Sequence, residues 1–233
     1  MKKIALVALV GMTLTSCHDL IDGTAGAVTT EMRTEPAFHS INMEGNVDVF
    51  VSYDTINSIK IEAGENLIDY IETSVIGDEL FVYEAPNNIV NTKPIRVYVT
   101  MDSLESVHME GSGDLDVNDM SSDHLNVLSI GSGDANFEID ANNINYENTG
   151  SGDARFTGTV NSLNVFLEGS GDFKGKYMYA FDANVEIEGS GDALVRASNS
   201  LVATISGSGD ITYYGNPTTV TTSVTGSGDV YGN

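Results

Sequence analysis

The sequence predicts an all-β chain. Its expected form is a single-stranded, right-handed parallel β-helix (solenoid) with about 19 residues per coil and an irregular β N-terminal cap. Three observations predict it. Gly-Ser-Gly-Asp begins at Gly111, Gly131, Gly150, Gly169, Gly189, Gly207 and Gly226, with spacings of 20, 19, 19, 20, 18 and 19 residues. Apolar and polar residues alternate on both sides of every copy, as in a strand with one buried face. Helical periodicity is absent, and glycine and β-branched residues disfavour helix. A unit this short cannot bury a core alone, so neighbouring coils must bury it. A propeller blade needs about twice the residues per repeat. Parallel crossovers are right-handed as a rule, which sets the expected hand.

Residues 1–16 read as a lipoprotein signal peptide rather than part of the fold. Lys2 and Lys3 precede an apolar stretch from Ile4 to Leu14, eleven residues long. That is too short to span a bilayer and suits a signal-peptide core. Leu14-Thr15-Ser16-Cys17 resembles the lipobox read by lipoprotein signal peptidase. Cys17 is the only cysteine, so no internal disulfide is available, and its acylation would anchor the mature chain to a membrane. Residues 17–34 are polar and glycine-containing and read as a flexible tether. The expected address is the outer membrane, by lipid anchor, facing the periplasm or the cell surface.

One β-helix domain is expected over residues 35–233. Residues 35–104 supply irregular first coils that cap the apolar end of the solenoid. Val47 to Val51, Leu80 to Tyr83 and Ile95 to Val99 alternate like strands, and 66–71 has room for one helical turn at most. Met43-Glu44-Gly45-Asn46-Val47 looks like a degenerate corner.

Residues 105–233 hold the seven repeats. One residue after each aspartate come Leu115, Ala135, Ala154, Phe173, Ala193, Ile211 and Val230, and two residues later Val117, Phe137, Phe156, Gly175, Val195, Tyr213 and Gly232. Upstream, the positions two and four before the first glycine run Met109 and Val107, Ser129 and Val127, Asn148 and Tyr146, and so on to Val224 and Thr222. Each repeat therefore reads as strand, corner, strand and variable return loop.

The corner residues are Gly111, Gly113 and Asp114; Gly131, Gly133 and Asp134; Gly150, Gly152 and Asp153; Gly169, Gly171 and Asp172; Gly189, Gly191 and Asp192; Gly207, Gly209 and Asp210; Gly226, Gly228 and Asp229. The paired glycines permit positive φ at a sharp bend, and the aspartate can accept from turn amides. Asn126, Asn145, Asn164 and Asn184 each lie five residues before a corner and can stack as an amide ladder.

Composition excludes one class of partner. Lys and Arg total 10 against 34 Asp and Glu, a formal net charge of -24, which repels nucleic-acid phosphates and anionic lipid surfaces. Solubility and cation binding are the two uses of such a charge.

Phe38-His39-Ser40-Ile41, Gly45-Asn46-Val47-Asp48-Val49 and Gly64-Glu65-Asn66-Leu67, followed by the serial corners, resemble the head GIN domain family of auto-transporter adhesins, common in Bacteroidetes lipoproteins. The resemblance covers roughly residues 36–230. It implies a right-handed β-helix and adhesin-like binding, and fold transfers better than function.

Stacked aspartates about 5 Å apart repel by about 0.9 kcal/mol per pair in water. Turn amides, protonation or a bridging calcium would relieve this. Toxin calcium repeats place such a turn about every nine residues, whereas here one occurs about every nineteen, which disfavours calcium. No metal or other cofactor is expected. A pectin lyase-like enzyme is the rival class, with Asp116, Arg155, Lys174 and Glu147 as outward candidates. No nucleophile elbow, His-rich motif or phosphate loop accompanies them, and His18, His39, His108 and His124 are dispersed. A non-enzymatic, lipid-anchored envelope protein binding a glycan or protein partner is therefore expected, and a scaffold without a ligand is the third reading. Ten Tyr, eight Phe and no Trp are modest for a carbohydrate binder, with Phe166 and Tyr231 as outward contacts.

Overall fold

The computed structural model describes residues 21–85, 89–90 and 93–233. The leader and Cys17 lie outside the described residues. The N-terminal part contains β1 (Ile21–Asp22), β2 (Val28–Arg33), β3 (Ser40–Gly45), β4 (Val47–Tyr53), β5 (Ser58–Gly64), β6 (Ile71–Ile76), β7 (Glu79–Glu84), β8 (Ile89–Val90) and β9 (Ile95–Met101). The repeats form β10 (Ser106–Gly111), β11 (Leu115–Gly131), β12 (Ala135–Asn148), β13 (Ala154–Leu167), β14 (Phe173–Ile187), β15 (Ala193–Ile205), β16 (Ile211–Tyr214), β17 (Thr219–Val224) and β18 (Val230–Gly232). A single 3-10 turn at Ile68–Tyr70 is the helical turn for which the sequence left room.

The result is a parallel β-solenoid of about six turns with irregular N-terminal strands. Each coil pairs in parallel with the next, residue against equivalent residue: Leu115 with Ala135, Ala135 with Ala154, Ala154 with Phe173, and Phe173 with Ala193. The degenerate corner is a true first rung. Gly45 pairs with Gly111 through β3 and β10, and Val49 pairs with Leu115 through β4 and β11. The intervening strands cap the stack: β9 runs parallel to β4, and β5 antiparallel to β9.

Two expectations about the course of the chain need correction. The expected return loop is continuous strand, since β11 to β15 each run unbroken for 13 to 17 residues. A second bend interrupts its regularity, marked by positive φ at Asp119 (53°) and Gly158 (124°); in the coil after β15, Gly215 (95°) opens a short loop between β16 and β17. The tether expected over 17–34 is ordered in its second half, because β2 pairs antiparallel with β5 from Val28↔Gly64 to Arg33↔Ile59. Arg33 also donates to the carbonyl oxygens of Ile71 (2.5 Å) and Ile68 (3.3 Å).

The core follows the predicted alternation. Residues one and three positions after each aspartate are buried through the fifth repeat, as are those two and four before each corner until the last. Inside, Phe137 and Phe156 stack with centroids 4.4 Å apart. Phe173 follows at 5.3 Å from Phe156, and Tyr146 meets Phe156 edge-on at 5.4 Å. Such ring pairs add to the burial of their area. Buried Asn148 closes its own corner, accepting from the Gly150 N–H (2.7 Å) and donating to the Gly152 carbonyl (2.8 Å). Thr222 and Val224 occupy inward positions but are exposed in the last coil, where no further described coil covers them.

The corner glycines need a different reason from the expected one. Among the seven repeats only Gly111 and Gly131 have positive φ at the corner. The common cause is close stacking. A Cβ on Gly152 would stand 1.9 Å from the Gly133 carbonyl oxygen, and one on Gly169 1.8 Å from that of Gly150. No side chain fits between the stacked backbones.

Candidate functional site

Three outward features are built on this scaffold. The first is the aspartate column. The N–H of each corner aspartate donates to Oδ1 of the aspartate one coil before it, from Asp134 to Asp114 (2.8 Å) through Asp229 to Asp210 (2.8 Å). Asp48 of the degenerate corner starts the series, accepting from Asp114 at 3.2 Å. A hydrogen bond to the ionised form lowers its energy, so the amides offset the repulsion along the column. The column is thereby a structural ladder, and among the described residues no group of three or more His, Cys, Asp or Glu is placed to hold a metal ion.

The second feature is the row on which the rival enzyme reading rests. Asp116, Asn136, Arg155 and Lys174 occupy consecutive rungs. Lys174 Nζ is hydrogen-bonded to Asp153 Oδ2. That bond, then the N–H of Asp172, holds the Asp153 carboxyl below its ordinary range, and the Lys174 ammonium is pushed up by the same partner. Glu147 is not brought to this row. It lies on the stretch before the corner, paired with Phe166, which in turn pairs with Glu186. There, half-buried Phe166 and exposed Glu147 line a shallow groove beside the amide ladder. Asn145 donates to Asn126 (2.8 Å) and Asn164 to Asn145 (2.9 Å). The outward Tyr231 donates to Asp229 Oδ2 at 3.1 Å. His39, His108 and His124 stay dispersed, with His39 between Asp78 (3.0 Å) and Asp102 (3.4 Å) in the cap.

The third feature is one that sequence reasoning missed. In β14, Tyr177, Tyr179 and Phe181 point outward and are 52%, 55% and 53% exposed, while Met178 and Ala180 between them are buried. The ledge arises from a mismatch in coil length. Lys174 pairs with Leu194 and Ala180 with Ala197, so residues 175–179 oppose only 195–196. The longer coil bulges and its shorter successor recedes. The recess is a groove of about 750 Å³ lined by Tyr179, Phe181, Arg196, Asn142, Asn161 and Asn216 among others. The spacing of 20 followed by 18 between Gly169, Gly189 and Gly207 was its sequence signal, hidden by reading this stretch as loop.

Fold and surface thus define a β-solenoid whose exposed chemistry suits binding. The chain matches the family described as "Putative auto-transporter adhesin, head GIN domain" over residues 37–217. It belongs to that family. Among solved structures it is similar to a putative adhesin from Bacteroides fragilis, with 22% identity, a TM-score of 0.86, and coverage of 91% of this chain and 100% of the other. A putative lipid binding protein from Parabacteroides distasonis is 23% identical with a TM-score of 0.76, covering 92% of this chain and 100% of that one. A putative adhesin from the same species is 19% identical at a TM-score of 0.70, over 92% and 100%. These likenesses establish the fold. No curated protein matches the chain.

Proposed function

We propose that this protein is a lipid-anchored, non-enzymatic adhesin of the cell envelope that holds a glycan or protein partner on its solenoid surface. Family membership supplies the adhesin class. The outward ledge of Tyr177, Tyr179 and Phe181 above its groove carries the binding reading, because exposed aromatics grouped beside a recess are characteristic of recognition surfaces. Cys17 is the anchor, acylated on its sulfur, and cleavage at the bond before it removes residues 1–16. The rival polysaccharide-cleaving reading has little support, since Lys174 of the candidate row is engaged by Asp153 and Glu147 is on another stretch of the coil.

The purified full chain, immobilised and offered a panel of polysaccharides and matrix proteins with calcium or with chelator, tests the function. Retention without chain shortening is the expected result; shortened product would make the protein an enzyme. Cys17→Ser should abolish metabolic labelling with palmitate, and undiminished labelling would remove the anchor from the proposal.

A further inference from the structure

The groove beside the aromatic ledge carries a more specific chemistry than adhesion in general. It runs along the solenoid axis from Ser122 to Asn216, across six successive coils, and so spans about 24 Å at the spacing of stacked strands. Its shape fits an elongated ligand. Beside small apolar and hydroxyl side chains and Asp140, its lining carries rings, amides and a cation.

The rings are Tyr179 and Phe181, half exposed on the lip. Exposed rings bind the C–H faces of pyranose sugars as they bind other apolar surfaces, at little entropic cost because their side chains are short and stiff. The amides form a short, exposed ladder in the lining. Asn161 donates to Asn142 at 2.8 Å, and Asn142 in turn donates to Asp123. Each amide has donor and acceptor capacity beyond these bonds, which matches sugar hydroxyls. Asp140 is already occupied, accepting from the N–H (2.8 Å) and hydroxyl (2.6 Å) of Thr159.

The cation selects the class. Arg196 lies with its guanidinium carbon 4.9 Å from the Tyr179 ring centre, fixed by an Nε bond to the Lys176 carbonyl at 3.0 Å. Lys176 stands over the Tyr214 ring at 4.6 Å. Among the described residues neither cation has a carboxylate within 4.0 Å, in a chain carrying 34 acids and only 10 Lys and Arg. The Nε bond leaves the terminal guanidinium nitrogens for a ligand, and arginine pairs with carboxylates through two parallel bonds.

We infer that the groove between Tyr179, Phe181 and Arg196 binds an acidic polysaccharide, with Arg196 holding a uronate carboxylate and the rings supporting the sugar faces. This rests on the adhesin reading and names its ligand class. The probe is a polygalacturonate oligosaccharide, measured by calorimetry against the full chain, with its carboxyl-reduced neutral counterpart as the comparison.

Arg196→Gln and Tyr179→Ala should each weaken polygalacturonate binding at least tenfold while Lys174→Gln, on the other row, leaves it unchanged. The neutral counterpart should bind at least tenfold more weakly than the acid. Arg196→Lys keeps the charge and guards against a folding effect, as do the melting curves of all variants; it should bind between wild type and Arg196→Gln. Equal binding by Arg196→Gln and Tyr179→Ala would overturn the groove assignment and leave an adhesin with another site. Equal binding of the neutral counterpart would overturn the acidic class. If no acidic polysaccharide bound while a matrix protein was retained, the inference would fail and the adhesin reading would stand. Failure of every ligand would sink both.

Discussion

The backbone N–H of Asp172 donates to Oδ1 of Asp153 at 2.9 Å, and Oδ2 of the same carboxylate receives Lys174. One side chain thus ties two coils together twice, once through the backbone ladder and once through an ion pair. Its depressed pKa has a definite sign. The stabilisation is present above the unfolded pKa near 3.8 and is lost as pH falls through the lower folded value.

Asp153→Asn should therefore lower the melting temperature at pH 7, with the gap closing as pH falls below about 4. The carboxylate is 39% exposed, so screening keeps the effect below about 1 kcal/mol, or roughly 2–4 °C. A gap that persists unchanged at pH 2.5 would show that charge is not its source.

His39 predicts the opposite slope. Its hydrogen bond to Asp78 raises its pKa, with smaller contributions from the charges of Asp78, Asp102 and Glu105. The stabilisation is complete below the unfolded value near 6.5 and is lost as pH rises through the folded one. Wild type should melt higher than His39→Asn at pH 5.5 by roughly 2–4 °C or less, and the two should converge at pH 9. Parallel melting curves across that range would exclude the His39 charge as the cause.

Gly152→Ala should prevent coil stacking, because its Cβ would meet the Gly133 carbonyl oxygen at 1.9 Å. Overpacking of this kind costs about 3 kcal/mol or more. At Gly77, φ is +69° with nothing within 4 Å of an added Cβ, so Gly77→Asn should cost less than about 1 kcal/mol. Urea unfolding of the two variants separates crowding from conformation, and similar midpoints would refute the distinction.

Phe156→Ala removes the middle of the ring stack between Phe137 and Phe173. A loss of about 3–5 kcal/mol is expected, seen as a lower urea midpoint with little change in slope. A loss under about 1 kcal/mol would mean that the neighbouring rings collapse into the space.

Chelator should leave the melting temperature unchanged, since the corner carboxylates already accept successive amide hydrogens. A fall of several degrees with EDTA, reversed by calcium, would reinstate a cation on the column.

Much of the fold was legible because solenoid geometry repeats its own spacing. Gly45 to Asp48 could be read as a corner despite Val47 standing where the repeats have glycine. β2 was not legible: it pairs along β5 while half its residues are exposed, so no apolar alternation marks it. The stacking role of the glycines was hidden as well, since a clash between repeats depends on a backbone 18 to 20 residues away. Tyr179 and Arg196 were missed together. Their proximity follows from a register shift between unequal coils, which a column alignment on the aspartates averages away.

The ladder from Asp48 to Asp229 also makes the molecule additive. Each rung offers an amide to the rung behind and a carboxylate to the rung ahead, so a whole period can be inserted or removed without orphaning either group. Reach away from the cap is thus quantised, in increments of about 4.8 Å, and a lineage can lengthen or shorten the solenoid by duplicating or deleting one coil.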